Sequence, residues 1–353
     1  MTLADLTQRT SEWLRGIGPM HDVVISSRVR LARNLAGMPF LPRCDEEQKT
    51  QILKELRDVI PKASLAKNMF FVDLKSASEA DRLVLVERHL ISKQHAKSDH
   101  PRGVVISANE NIALMINEED HLRMQVLRSG LQLNEAFEEI NRIDDLLEEH
   151  VKFSFSSRFG YLTACPTNVG TGLRVSVMLH LPGLKLTGEI DKALRAAHDM
   201  HLAIRGAYGE GTDAMGDFLQ ISNQVTLGKT EEQIVNEFLN IVVPPILNYE
   251  RIARKALLKH NAVETDDRIF RACAILREAR TISTEEAMAM MSMVRLGINL
   301  ERIKDISLKD INELSLSIQP AHLQKIHGKE LNEREQGVVR AEFLQKKLCS
   351  SEK

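Results

Sequence analysis

Polar and apolar side chains alternate through residues 23–31, with Arg28 and Arg30 on one face and Val29 and Leu31 on the other. That period of two predicts a strand. Shorter β-like runs follow at Met69–Val72, Val104–Ser107 and Ile112–Asn117, with Asn109-Glu110-Asn111 as a hairpin turn between the last two. Phe153 and Phe155 mark another strand, and Phe218–Val225 a further one. Residues 174–181 fit either strand or helix. Helical spacing covers residues 2–15 through Leu3, Leu6, Trp13 and Leu14, ended by Gly16-Ile17-Gly18-Pro19. It also covers Asp45–Ile60, stopped by Pro61, and residues 187–202. The strongest helix pattern is 131–150, through Leu131, Leu133, Phe137, Ile140, Ile143 and Leu147. After Thr230 the β-like runs almost vanish and helical periodicity takes over. The pattern predicts an α+β body followed by an all-helical domain: an N-terminal helical segment at 1–20, a catalytic body at 21–255 and a helical region at 256–353.

Composition narrows the functional classes. The chain has 353 residues, 43% apolar, with a formal net charge of −2. That is enough for a large packed core, and it lacks the basic excess of a nucleic-acid protein. Its four cysteines, Cys44, Cys165, Cys273 and Cys349, form no CxxC pair, which argues against a zinc site or a disulfide framework. The N-terminus has no signal-type apolar core, and the most apolar run, near 239–249, is broken by Pro244-Pro245. The expectation is a cytoplasmic protein with no membrane span, no nucleic-acid partner and no resident metal.

Chemistry concentrates in four segments. Glu118, Glu119 and Asp120 run into His121 and Arg123 directly after the apolar run Ile112–Ile116. Desolvating three carboxylates at the end of a buried strand is costly without partners. The plain alternative is a charged strand end. The other segments are Ser26-Ser27-Arg28-Val29-Arg30, Cys165-Pro166-Thr167-Asn168-Val169-Gly170-Thr171-Gly172-Leu173-Arg174 and Arg205-Gly206-Ala207-Tyr208-Gly209-Glu210. Arginines thus recur beside glycines or on strand faces. Guanidinium forks grip phosphate oxygens bidentately and stay charged, and glycine lets backbone approach them. For any lone arginine, a structural salt bridge is the commoner role.

In this order, the four segments resemble the phosphagen (ATP:guanido) kinase family across roughly residues 20–250. The metabolic members carry a helical domain of about 100 residues before the catalytic part. Here the Ser-Arg-Val-Arg segment begins at Ser27, and a helical region follows instead. That arrangement, with Trp13 and His89-Leu90-Ile91-Ser92, looks like the family's bacterial protein-arginine kinase branch.

The resemblance implies an antiparallel, glutamine-synthetase-like sheet flanked by helices, and transfer of the γ-phosphoryl of MgATP to an arginine guanidinium. It implies catalytic roles for Glu119 and Glu210, with Cys165 orienting the acceptor. Glu118 and Asn168 would assist that orientation. It implies ATP contacts from Ser26, Ser27, Arg28, Val29, Arg30, His89, Arg123, Arg174, Val175, Ser176, Val177, Met178, Arg205, Gly206, Ala207, Tyr208, Gly209 and Glu210. Proteins bearing exposed arginine would be substrates. Stress regulation, Clp-dependent degradation, a zinc-binding activator protein and a homodimer follow as expectations from the same source. One departure stands out: where the branch carries an Arg-Asp-x-x-Arg-Ala phosphoarginine-binding motif, this chain has Gln336-Gly337-Val338-Val339-Arg340-Ala341. Without one arginine fork and one carboxylate, phosphoarginine sensing is in doubt. Two competing readings remain at this stage: a kinase of a small guanidino metabolite, and a silent adaptor.

Overall fold

The structure, a computed structural model, describes residues 3–7, 9–206 and 215–349. Among the described residues ten strands form in chain order: β1 Val24–Arg33, β2 Phe70–Asp73, β3 Gly103–Ile106, β4 Ile112–Ile116, β5 Leu122–Ser129, β6 Phe155–Ser156, β7 Gly160–Tyr161, β8 Leu173–His180, β9 Leu202–Gly206 and β10 Phe218–Asn223. Eight of them make one sheet, ordered β2-β3-β4-β5-β1-β8-β10-β9, and β6-β7 is a separate small hairpin. Every pairing is antiparallel.

Register explains how the sheet divides its two faces. Val29 lies opposite Val126 on β5 and Val175 on β8. These side chains are fully buried, beneath the helices Glu46–Lys62 and Leu133–Glu148, which contribute Ile52, Leu56, Ile140, Ile143 and Leu147. The first of those helices has a full capping box, Asp45 with Gln48. On the other face, Arg30 lies opposite Gln125 and Arg174, and Arg28 opposite Leu127 and Ser176. That face is covered only at its ends. One end packs Leu127, Met178 and Phe218 under Trp13 and the C-terminal helices. The other packs Ala113 and Met115 with Leu85, Leu90 and Ile91. The polar middle is left open between them.

Several expectations change. Residues 2–15 are not one helix but a turn of helix at Leu3–Leu6 and a 3-10 turn at Glu12–Leu14. Between them, the Ser11 hydroxyl donates to the Glu110 carboxylate at 2.8 Å, a tertiary bond that competes with helix continuation. Residues 174–181 resolve as strand β8. Three strands escaped the sequence reading: β5, behind the charged motif, the two-residue β7, and β9, just past the helix Ile190–Asp199. The extended stretch around Phe153 and Phe155 reduces to one bridge, Leu35 to Phe153, and the two-residue β6. The helix Val243–His260 runs unbroken through residues 255 and 256, where the domain boundary was placed. Among the described residues, no helix is long and apolar enough to cross a membrane.

Candidate active site

The open middle of the sheet is the floor of a cavity of about 540 Å³. Arg28 and Arg30 reach it from β1, Arg123 and Gln125 from β5, Arg174 from β8, Gln220 from β10 and Arg205 from β9. All five arginines singled out in the sequence therefore line one space. Glu118, Glu119, Cys165, Asn168 and His89 line it too.

Two of the forks are held from the side by polar side chains of the sheet. Arg28 Nη2 donates to Gln220 Oε1 at 2.5 Å, and Arg174 donates through Nε and Nη2 to Ser222 Oγ at 3.2 and 2.9 Å. Arg30 Nε is buried with no hydrogen-bond partner. Burial, then the charges of Arg174, Arg205 and Arg123, push the Arg28 guanidinium down to about 10. Burial, then Arg28 and Arg174, lower Arg30 well below its ordinary value. Like charges directly opposite on neighbouring strands destabilise a sheet, as Arg30 and Arg174 are here. A polyanion placed among them would relieve that repulsion.

Arg123 behaves differently. Burial works against its charge, but Glu118, Glu119 and Asp120 outweigh it and hold the guanidinium above its ordinary value. Nη1 meets Glu118 Oε2 at 2.6 Å and Nη2 meets Glu119. The two glutamates are not equivalent. Glu118 is 4% exposed, and its oxygens also accept from Ser92 Oγ at 2.5 Å and from the Glu119 amide at 2.8 Å. It anchors Arg123 and its own loop, so its expected part in substrate orientation becomes indirect. Glu119 is 41% exposed and faces the opening.

A buried polar scaffold fixes this loop. Asp120 Oδ1 accepts from Asn34 Nδ2 and from the Ala164 amide, both at 2.7 Å, tying the glutamates to β1 and to the Cys165 turn. Burial pushes the Asp120 carboxyl up, against these bonds and the charge of Arg123. His121 Nδ1 accepts from the Leu35 amide at 3.0 Å, and its Nε2 meets the Pro39 carbonyl at 2.8 Å. Gly172 sits at φ +65°, where a Cβ would come within 2.7 Å of the Ala32 carbonyl oxygen. Only glycine lets this turn pass so close to β1.

The remaining residues sort by face. Ser26, Ser176 and Met178 line a small chamber continuous with Arg28 and His89. The Val29, Val175 and Val177 side chains lie in the helix-covered core, so any contribution of theirs to the cavity is through the backbone. Ser27 corrects in the same way: its hydroxyl donates to the Gly130 carbonyl at 2.8 Å and accepts from the Gln132 amide at 3.0 Å. Cys165 Sγ contacts Thr167 Oγ1 at 3.0 Å at the cavity rim. Gly206 ends β9, and Ala207, Tyr208, Gly209 and Glu210 lie outside the described residues. In the C-terminal region, Arg340 is 2% exposed and donates to the carbonyls of Ile318 and Ile282 at 3.0 and 2.8 Å. Gly337 packs where a Cβ would come within 2.6 Å of Thr281 Oγ1, Gln336 Nε2 donates to the Leu331 carbonyl, and Ala341 is core. Arg340 is therefore a structural clamp. The sequence reading missed Gln125, Gln220 and Ser222, and gave Ser92 no role, although Gln220 and Ser222 alternate with Leu219 and Ile221 in a legible period of two.

Residues 51–253 match the family model for the ATP:guanido phosphotransferase C-terminal catalytic domain, and residues 262–353 match the protein-arginine kinase McsB C-terminal domain. A protein-arginine kinase of Halothermothrix orenii is 48% identical over 349 residues, covering 99% of each chain. The chain belongs to the protein-arginine kinase family. Another member, from Pelotomaculum thermopropionicum, is 42% identical over 354 residues, again covering 99% of each chain. The crystal structure of a lombricine kinase superposes with a TM-score of 0.56 at 25% identity, over 67% of this chain and 68% of that one. The duplicated taurocyamine kinase of Schistosoma mansoni, bound to transition state analog components, superposes at 0.58 with 23% identity, over 78% of this chain and 44% of its own; it shares the fold. The two family models match in succession, the catalytic one first and the C-terminal one after it.

Proposed function

We propose that this chain transfers the γ-phosphoryl group of MgATP to the guanidinium of arginine side chains in proteins. The observation that carries the proposal is the convergence of five guanidinium groups and the exposed Glu119 on one cavity. Phosphoryl transfer asks a protein for position and charge stabilisation more than for covalent chemistry. One guanidinium about 4 Å from a phosphate oxygen contributes roughly 4 kcal/mol before desolvation, at an effective dielectric near 20. In this reading Arg28, Arg30, Arg174 and Arg205 hold the triphosphate, with Mg2+ entering as part of the nucleotide substrate.

The acceptor's difficulty is its proton, because a guanidinium has delocalised lone pairs and a pKa above about 12. A carboxylate must orient it and take that proton as the N–P bond forms and the bond to the ADP oxygen breaks. In this reading Glu119, which lines the cavity and is 41% exposed, takes that role, and Glu210 matches the family's second glutamate. Cys165 and Asn168 line the same side, next to the exposed rim residues Pro166 and Thr167. That rim gives an arginine on a protein surface a way in. The Clp-linked, stress-related setting belongs to this proposal through the resemblance alone.

The test is incubation with MgATP and an arginine-rich protein such as casein, followed by mass spectrometry under conditions that preserve acid-labile phosphate. Phosphoarginine on the protein is the expected result. Phosphate confined to Ser and Thr, or to free guanidino metabolites, would overturn it.

A further inference from the structure

The strand register gives the cavity a direction. The Arg33 end of β1 lies against Leu122, beside the loop that carries Glu119, and the Ser26 end lies four residues beyond Arg30. That is about 13 Å of strand, a span that an extended nucleoside triphosphate covers. If the γ-phosphoryl sits by Glu119, the base lies past Arg28. This step rests on the MgATP reading above.

A small chamber occurs at that end, with a volume of about 10 Å³. Arg28, His89 and Gln220 line both it and the main cavity, so the two are continuous. Trp13 and Met178 supply its flat and apolar walls, and Ser26 its hydroxyl. Trp13 stands edge-on to His89, with ring centroids 5.0 Å apart at 77°. Burial, then the charge of Arg28, drives the His89 imidazole down to about 3, so it meets a ligand as a neutral ring. Such a lining suits a purine: flat apolar contact with a few polar groups.

The indole of Trp13 carries the decisive oddity. The residue is 5% exposed, and its Nε1–H is buried with no hydrogen-bond partner. Native proteins rarely leave such a donor unmet. An indole N–H only donates, so the missing partner is an acceptor. We propose that Trp13 Nε1–H donates to a ring nitrogen of the nucleotide's purine base, which makes Trp13 a specificity-determining residue at this site. The chamber has room for about one water, so the base enters by displacing a wall. Trp13 rides on the three-residue turn Glu12–Leu14 rather than on a sheet strand.

The chain contains a single tryptophan, so its emission reports this position alone. The experiment titrates wild-type protein with MgADP and, separately, with inorganic tripolyphosphate, following tryptophan emission and binding heat together. Emission is expected to change with MgADP and to stay constant as tripolyphosphate binds. Trp13→Phe keeps the ring and deletes the donor. It is expected to raise KM for ATP about 5-fold with kcat unchanged. Binding of MgADP with silent emission and equal affinity in Trp13→Phe would sink the inference and leave the kinase reading standing. An emission change of the same size with tripolyphosphate would also sink it, because the signal would then come from the phosphate end. Failure of MgADP to bind, by heat, by emission and by competition with ATP turnover, would overturn both readings.

Discussion

Arg30 and Arg33 lie three residues apart on one strand and live in opposite chemistry. Arg33 is 1% exposed, and its Nε bonds both oxygens of Asp144 at 3.1 and 3.0 Å. Its Nη1 donates to the carbonyls of Ala32 and Thr171, and its plane stacks on Tyr161 at 3.4 Å. Arg30 faces the cavity with another arginine opposite and its Nε unmatched. The fold supplies the anion for one; for the other, under the function proposed above, a ligand supplies it. An arginine's type is therefore uninformative by itself, and the informative quantity is whether the protein has already met its charge. Arg88 repeats the Arg33 pattern, with Glu110 on Nε and Nη2, both at 2.6 Å.

The sharpest way to break this comparison is to truncate both. Arg30→Ala should lower kcat by about 10³-fold or more, on the scale of a transition-state arginine, without loss of stability. Steady-state kinetics beside a urea melt decide it, and activity within tenfold of wild type would refute the role. Arg33→Ala should do the reverse. It leaves Asp144 buried and unpaired, so unfolding free energy should fall by about 3–5 kcal/mol, with near-normal turnover per folded molecule. A milder test supplies the missing anion. Tripolyphosphate at a hundred times its Kd should stabilise the wild type by about 2.7 kcal/mol, and Arg30→Ala should need far more ligand for the same shift in melting temperature.

The smallest effect concerns the buried imidazole of His95. Burial, then Arg102 and His100, lower His95 to about 3. An unfolded histidine takes up its proton near pH 6.5. The stability that neutral His95 contributes is therefore complete above that pH and is lost as pH falls toward 3. At pH 5 the loss is about 2 kcal/mol. Chemical denaturation at pH 7.5 and pH 5 should show it, and His95→Gln should flatten the difference. An unchanged slope would mean that His95 is not buried in this way.

Legibility followed the strength of the period. Arg28 and Arg30 could be placed on one face because Val29 and Leu31 alternate with them, and the C-terminal helices because little else has their spacing. Strand β5 carries an equally regular pattern, with Leu122, Met124 and Val126 buried between Arg123 and Gln125. It was hidden because the preceding carboxylates drew the reading toward a charge run. The division of labour between Glu118 and Glu119 is not in the sequence, since it depends on Ser92 arriving from a distant helix start. Trp13 could be read as an apolar helix position, but nothing local places it over the Ser26 end of β1. The continuous helix at 243–260 was also beyond reach, because a change of composition does not require a change of element.

That continuous helix is only one of the joints between the two halves. The amides of Ala321 and His322 bind the two oxygens of Glu87 at 2.8 and 3.0 Å, and Ser292 donates to Asp217 at 2.6 Å. A protease that nicked the backbone near residue 255 would therefore release nothing. The fragments should elute together from a sizing column and separate only in denaturant.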